Sequence, residues 1–167
     1  SQAAAAMGGR SWDMEAVVSR GPAEGGVIYA TGTENSGFSF YIFDSHLVFD
    51  YNFFGEHLVV RSHSELPIGS SVLTCQLRRT GKAGYAVLLV NGEEVGRIEL
   101  PFIMRVISSV GPSVAYDHGS PVAFDYASRR DGFPFEGDLE SVTITLIDTK
   151  KDPKVAESQA RTEMGRQ

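Results

Sequence analysis

Apolar and polar residues alternate with a period of two over most of this chain, from Trp12 to Ile147. Successive side chains of an extended strand point to opposite faces, so this alternation predicts half-buried β-strands. In the first such stretch the apolar residues of one face are Trp12, Met14, Ala16 and Val18. No helical period competes with the alternation in this region, and we therefore predict an all-β protein.

Turn signals divide the alternating region into short strands. Asp44-Ser45 is a two-residue hairpin loop between apolar runs, and Asn91-Gly92 favours a hairpin because both residues tolerate positive φ. The predicted strands cover residues 12–18, 26–30, 38–43, 46–53, 57–61, 72–78, 85–90, 94–100, 105–113 or slightly beyond, and 138–147. This number of short strands at regular spacing is typical of a sandwich or a barrel.

The domain boundaries follow changes in composition. Residues 1–11 are rich in Ala and Gly and are predicted to be a linker, and residues 12–147 form the β-domain. Apolar residues become sparse in residues 148–167, which we predict to be a short C-terminal helix or tail. The lone cysteine and the lack of a leader in this sequence slightly favour a cytoplasmic location.

Charge and cysteine content exclude several classes of protein. The net charge is −6 and no dense Lys/Arg run occurs, so a nucleic-acid partner is not expected. No apolar run is long enough to span a membrane. Cys75, the single cysteine, lies in an apolar strand pattern, which favours a buried and unreactive thiol.

Three carboxylates with E-x-D-x-E spacing, Glu136, Asp138 and Glu140, are the strongest catalytic candidate. On a strand they would project from one face, and laminarinase-type endoglucanases place a nucleophile and an acid/base with similar spacing. The favoured interpretation is a solvated strand face, because alternate positions supply apolar residues and Trp12 is the only tryptophan.

A polar loop at residues 116–126 contains the candidate binding residues Asp117, His118, Asp125 and Tyr126. Asp117 and Asp125 are suitable calcium ligands, since this cation prefers oxygen. The favoured alternative is that Asp117 and Ser120 order the loop through hydrogen bonds to the backbone. The histidines and the single cysteine show no metal-binding spacing, and we assign neither catalytic residues nor a metal site.

Aromatic residues are dense between residues 38 and 54, where they are Phe38, Phe40, Tyr41, Phe43, Phe49, Tyr51, Phe53 and Phe54. Alternate rings are expected to fill a sandwich core. Adjacent pairs such as Phe53-Phe54 require some rings on the other face, and an exposed strip of rings would form a platform for stacking sugars.

Several segments in order resemble the region after the catalytic core of large bacterial arylsulfatases. They are GVIYATG (26–32), GFSFYI (37–42), LVFDYNFFG (47–55), LVNGEEVG (89–96), DHGSPV (117–122), FPFEGDLESVTI (133–144) and the tail at 160–167. The resemblance implies a concanavalin A-like fold, and with the strand pattern we predict an antiparallel two-sheet jelly-roll sandwich. The sulfatase formylglycine motif is absent, because Cys75 is followed by Gln76-Leu77-Arg78.

Three functions are therefore considered. The first is a non-catalytic accessory domain of an arylsulfatase-like sulfuric ester hydrolase, which packs on the catalytic domain of the same polypeptide or helps to hold a homo-oligomer. The second is a carbohydrate-binding, lectin-like module, which needs exposed aromatic residues. The third and least favoured is a small laminarinase-like glycosidase that uses Glu136 and Glu140.

Overall fold

The computed structural model describes residues 7–105 and 112–147. Within these ranges the chain forms ten strands: β1 (Ser11–Arg20), β2 (Gly26–Gly32), β3 (Gly37–Phe43), β4 (His46–Phe53), β5 (Glu56–Arg61), β6 (Gly69–Thr80), β7 (Ala83–Val90), β8 (Glu93–Leu100), β9 (Ser113–Val114) and β10 (Asp138–Ile147). These strands confirm the all-β prediction. The strand predicted at 105–113 lies mostly outside the described residues, as does the C-terminal helix or tail predicted at 148–167.

The strands form two antiparallel sheets. Sheet A has the order β10-β1-β6-β7-β8, and sheet B has the order β5-β4-β3-β2-β9. The predicted hairpin turns are present, since Asp44 and Ser45 have φ of 51° and 61° and Asn91 and Gly92 have φ of 51° and 85°. Left-handed backbone at both central turn positions matches the twist of the paired strands.

The main core lies between the two sheets and follows from the alternation in the sequence. Trp12 of sheet A stacks on Phe38 of sheet B with ring centroids 5.1 Å apart. Phe49 meets the same tryptophan edge-on at 6.0 Å. Cys75 is fully buried in this core, which agrees with the predicted inert thiol, and burial raises its pKa well above the usual value.

Residues that precede the predicted boundary at Trp12 contact the sandwich. Met7 is buried in the main core, where its sulfur lies 3.7 Å from the Tyr29 hydroxyl, and the Gly9 amide donates to the Met104 carbonyl at 2.9 Å. Met7 and Gly9 belong to the segment predicted from composition to be a linker, and these contacts attach them to the sandwich. No helix in the described part of the chain has the length and apolarity needed to cross a membrane.

Candidate functional site

The outer face of sheet B is covered by a loop and is not open to solvent. Residues 115–137, here called the covering loop, run from β9 to β10 across this face. A second apolar cluster lies beneath the loop and consists of Val27, Ala30, Tyr41, Val48, Ala123, Tyr126 and Phe133. Apolar contact therefore holds the loop on the sheet, and buried polar groups fix its position.

Asp50 on β4 is one of these polar groups and is fully buried, with an exposed fraction of 0%. Its carboxylate accepts from the Phe124 amide at 2.8 Å and lies 2.9 Å from the His57 Nδ1. Burial raises the pKa of Asp50, while the bonds from Phe124 and His57 act in the opposite direction. The carboxylate thus joins two strands of sheet B to the backbone of the covering loop.

Asp125 forms a second attachment at the same face. Arg61 on β5 donates two hydrogen bonds to its carboxylate, at 2.6 Å and 2.7 Å, and the Tyr41 hydroxyl donates a third at 2.9 Å. A bidentate arginine–carboxylate pair is directional as well as charged. The hydrogen bonds that Arg61 donates to Asp125 raise the pKa of Arg61.

Asp117 and Tyr126 join the start of the covering loop to its middle. The Tyr126 hydroxyl donates to Asp117 at 2.8 Å and lies 2.8 Å from the Ser39 hydroxyl on β3. The same carboxylate accepts from the Val122 amide at 2.9 Å. Burial raises the pKa of Asp117, against the effect of these bonds.

The four predicted binding residues therefore lie together in one loop, where their polar groups contact the protein itself. The backbone-ordering role considered for Asp117 and Ser120 is visible: Ser120 accepts from the Glu34 amide at 3.1 Å. His118 contacts Ser113 through Nδ1. No group of three or more potential ligands is arranged to hold a metal ion within residues 7–105 and 112–147.

The E-x-D-x-E carboxylates lie at the edge of sheet A. Asp138 and Glu140 belong to β10, the edge strand paired with β1, and Glu136 lies two positions before its first residue. All three are exposed, whereas Val142, Ile144 and Leu146 of the same strand pack on the core. This arrangement is the solvated strand face favoured by the sequence.

A groove of about 430 Å³ opens at one end of the sandwich, here called the tip groove. Its lining comes from the β4–β5 turn, the β6–β7 turn and the segment after β8: Phe53, Phe54, Arg79, Lys82, Phe102, Ile103, Met104 and Arg105. The segment after β8 is fixed by the Tyr51 hydroxyl, which accepts from the Met104 amide at 2.7 Å, and by the Ile103 amide, which donates to the Lys82 carbonyl at 2.9 Å. The groove thus bridges the two sheets.

Three aromatic rings form the apolar part of the tip groove. Phe53 and Phe102 stack with centroids 5.1 Å apart and an interplanar angle of 13°, and Phe54 meets Phe53 edge-on at 4.9 Å. Phe54 and Phe102 are 73% and 53% exposed. Such an exposed aromatic surface beside a concavity is typical of a small-ligand site.

Phe54 also has an unfavourable backbone conformation. It has φ of 50° and is followed by Gly55 at 89°, so the β4–β5 turn repeats the geometry of Asn91-Gly92 in the β7–β8 turn. A bulky residue in the left-handed region costs roughly 1–2 kcal/mol, whereas Asn and Gly are the favoured residues there. Residues with a strained backbone tend to occur at functional sites, and Phe54 is exposed, so packing in the core does not account for its strain.

Sequence reasoning placed Phe53 and Phe54 in the aromatic cluster but missed the other groove residues. Arg79 and Lys82 lie at the β6–β7 turn, far in the sequence from both Phe53-Phe54 and the segment 102–105, and only the sandwich brings these three parts together. The available signal was Phe54-Gly55, a bulky aromatic at a turn position that normally takes Asn, Asp or Gly.

Solved structures of low sequence identity share this architecture. A Bacteroides ovatus protein proposed to bind carbohydrate matches with a TM-score of 0.58 and 16% identity, over 81% of this chain and 37% of that one. Domains LG4-5 of the mouse laminin α1 chain match with a TM-score of 0.59 and 15% identity, over 86% and 39%. A pentraxin of Limulus polyphemus matches with a TM-score of 0.50 and 15% identity, over 81% of this chain and 63% of that one.

The fold is a lectin-like jelly roll. This result confirms the predicted fold class, and at these identities it concerns the fold alone. The chain spans about two fifths of the first two of these structures and less than two thirds of the third. No protein-family model and no curated protein matches the sequence.

Proposed function

We propose that this chain is a non-catalytic glycan-binding module and that sugar rings bind in the tip groove. The observation that carries the proposal is Phe54, a mostly exposed aromatic ring kept at a strained turn position beside two further rings. The C–H bonds on one face of a sugar ring carry partial positive charge, which the face of an aromatic ring attracts. The carbohydrate-binding description of the Bacteroides ovatus structure supports the same class of ligand.

The alternative sites give less support to a binding or catalytic role. The outer face of sheet B is filled by the covering loop, whose carboxylates bond to the protein itself. The carboxylates Glu136, Asp138 and Glu140 are exposed on an edge strand. A retaining glycosidase needs two such groups facing one sugar in a cleft. The tip groove is the concave site that combines exposed rings with polar groups.

Phe54→Asn is expected to abolish glycan binding and to stabilise the fold. Relief of left-handed strain is worth roughly 1–2 kcal/mol, and the lost edge contact with Phe53 costs about 0.5 kcal/mol for so exposed a pair. The expected net gain in the free energy of unfolding is therefore about 1 kcal/mol. Glycan-array screening followed by calorimetry measures binding, and urea unfolding measures stability.

Phe124→Ala is the matched control, because Phe124 is 68% exposed but lies on the covering loop. It should leave glycan affinity unchanged. Unchanged affinity in Phe54→Asn, or an equal loss in both variants, would contradict binding at the tip groove. Failure of the unaltered protein to bind any glycan on a diverse array would contradict the proposed function itself.

The arylsulfatase context remains a prediction from the sequence resemblance. None of the three solved structures described above is named as a sulfatase. The two ideas are compatible, because a glycan-binding module can be attached to a catalytic domain in the same polypeptide. Reading the gene upstream of Ser1 tests the context: a sulfatase core would support it, and an unrelated domain would contradict it.

A further inference from the structure

Positive charge is concentrated in the tip groove, although the chain as a whole is acidic. Arg79, Lys82 and Arg105 line the groove, while the net charge of the chain is −6. None of the described residues that line it is acidic; Glu56 begins β5 opposite Phe53 but does not belong to the lining. Such a local cationic site in an acidic protein favours a compact anionic group on the ligand.

Arg79 is held in position by the protein before any ligand arrives. Its Nη1 donates to the Gly9 carbonyl at 2.7 Å, and its Nε donates to the Gly81 carbonyl at 2.5 Å. A cation fixed in this way loses little conformational entropy on binding. Lys82 and Arg105 are both exposed and supply two further donors to the same groove.

The dimensions of the groove favour a small number of rings over an extended polyanion. Its volume of about 430 Å³ lies within the range of roughly 300–1,000 Å³ usual for small-ligand sites. A single-stranded nucleic acid instead needs a basic track several nucleotides long. The net charge of −6 would also repel a polyanion beyond the groove.

We propose that the tip groove binds an acidic glycan, with a sugar ring against the phenylalanines and an anionic oxygen of that glycan at Lys82, Arg105 and Arg79. This inference rests on the proposed glycan-binding function and adds the class of ligand to it. A carboxylate of a uronic acid and a sulfate ester present the same chemistry, namely a charged oxygen that accepts hydrogen bonds from cations.

Chemical neutralisation of the ligand tests the charge requirement. A glycan array with neutral, uronate-containing and sulfated oligosaccharides selects the tightest acidic binder, and the class selected distinguishes carboxylate from sulfate. Calorimetry then compares that oligosaccharide with its methyl-esterified or desulfated form, which we expect to bind about tenfold more weakly. Equal affinity for both forms would overturn the inference and leave the proposed function intact, whereas binding of no glycan would contradict the proposed function.

The double variant Lys82→Gln/Arg105→Gln tests the location of the charge. It should weaken binding of the acidic oligosaccharide about tenfold and leave its neutralised form unaffected. The control Arg97→Gln/Arg130→Gln removes the same net charge at exposed sites outside the groove and should change affinity less than about twofold. An equal loss in both double variants would overturn the inference, because it would report net charge alone.

Two further probes test whether the site is specific for glycans. They are vesicles of phosphatidylglycerol and a single-stranded oligonucleotide, each titrated with the unaltered protein and with the groove double variant. We expect both probes to bind at least about tenfold more weakly than the acidic oligosaccharide. Binding of either probe as tight as that of the oligosaccharide, and lost in the same variant, would indicate a general anion site and overturn the glycan assignment.

Discussion

Gly26→Ala is expected to lower the free energy of unfolding by about 3–5 kcal/mol, a large effect for one methyl group. Gly26 has φ of 121°, and a Cβ built there would lie 2.3 Å from the Pro134 carbonyl oxygen and 2.6 Å from the Phe135 Cα. Both contacts are with backbone atoms, so no side-chain rotation relieves them. The covering loop would have to move away from β2.

The backbone hydrogen bonds at this point show what such a movement would break. The Val27 amide donates to the Phe133 carbonyl at 2.9 Å, and the Glu136 amide donates to the Gly25 carbonyl at 2.8 Å. Equilibrium unfolding in urea measures the loss of stability, and limited proteolysis within residues 115–137 measures detachment of the covering loop. Cleavage in the loop is expected to be faster in the variant.

Gly69→Ala separates backbone strain from steric conflict. Gly69 has φ of 92°, and a Cβ there would have no atom within 4 Å beyond its own residue and its two chain neighbours, so only the cost of the left-handed conformation applies. A loss of about 1–2 kcal/mol is expected for this control. Equal losses in the two variants would show that the covering loop does not pack on Gly26 as described.

Glycan binding should persist in the folded fraction of Gly26→Ala. Gly26 pairs with Ile42, and Ile42 pairs with Leu47 at the start of β4, whereas Phe53 lies at the other end of that strand. The covering loop and the tip groove are therefore separate features of sheet B.

Asp50→Ala is expected to destabilise the protein by about 2–4 kcal/mol. The substitution leaves the Phe124 amide and the His57 ring without their carboxylate acceptor at a fully buried position. An unsatisfied buried donor costs about 1–3 kcal/mol, more than the hydrogen bond itself contributes. Urea unfolding measures the total effect, and amide hydrogen exchange at Phe124 measures the local one.

Asp138→Ala is the control for this prediction, because Asp138 also lies on a strand but is exposed. A change within about 0.5 kcal/mol is expected for it. If Asp50→Ala were no more destabilising than Asp138→Ala, the carboxylate of Asp50 would not be a structural link between sheet B and the covering loop.

The strands and hairpins of the main sandwich were predictable, because each is specified by residues that are neighbours in the sequence. The alternation Trp12, Met14, Ala16 and the turn dipeptides Asp44-Ser45 and Asn91-Gly92 each specify a strand or a hairpin from neighbouring residues. The structure has these strands and turns where the pattern predicted them, whereas the choice of a two-sheet sandwich over a barrel rested on the family resemblance. The all-β fold class could therefore be predicted without knowledge of long-range contacts, from the general rule that each sheet buries one face.

The burial of the outer face of sheet B by the covering loop could not be predicted from neighbouring residues in the sequence. Ser39, Asp50 and Asn52 alternate with the inward aromatic residues of β3 and β4, and their neighbours in the sequence do not indicate what covers that face. All three are fully buried. Each of the three has a hydrogen-bond partner in residues 115–137, which show no alternation and follow in the sequence after five further strands.

The sequence by itself determined the all-β class, the buried cysteine and the solvated acidic strand face, because side-chain alternation decides which face of a strand is buried. Only the tertiary structure decided that a loop covers sheet B and that Phe54, Lys82 and Arg105 meet at one end. Those three residues belong to separate turns and segments, and no local rule states which ends of two sheets lie together. The distance between them depends on how the sheets pack, which is a property of the whole core.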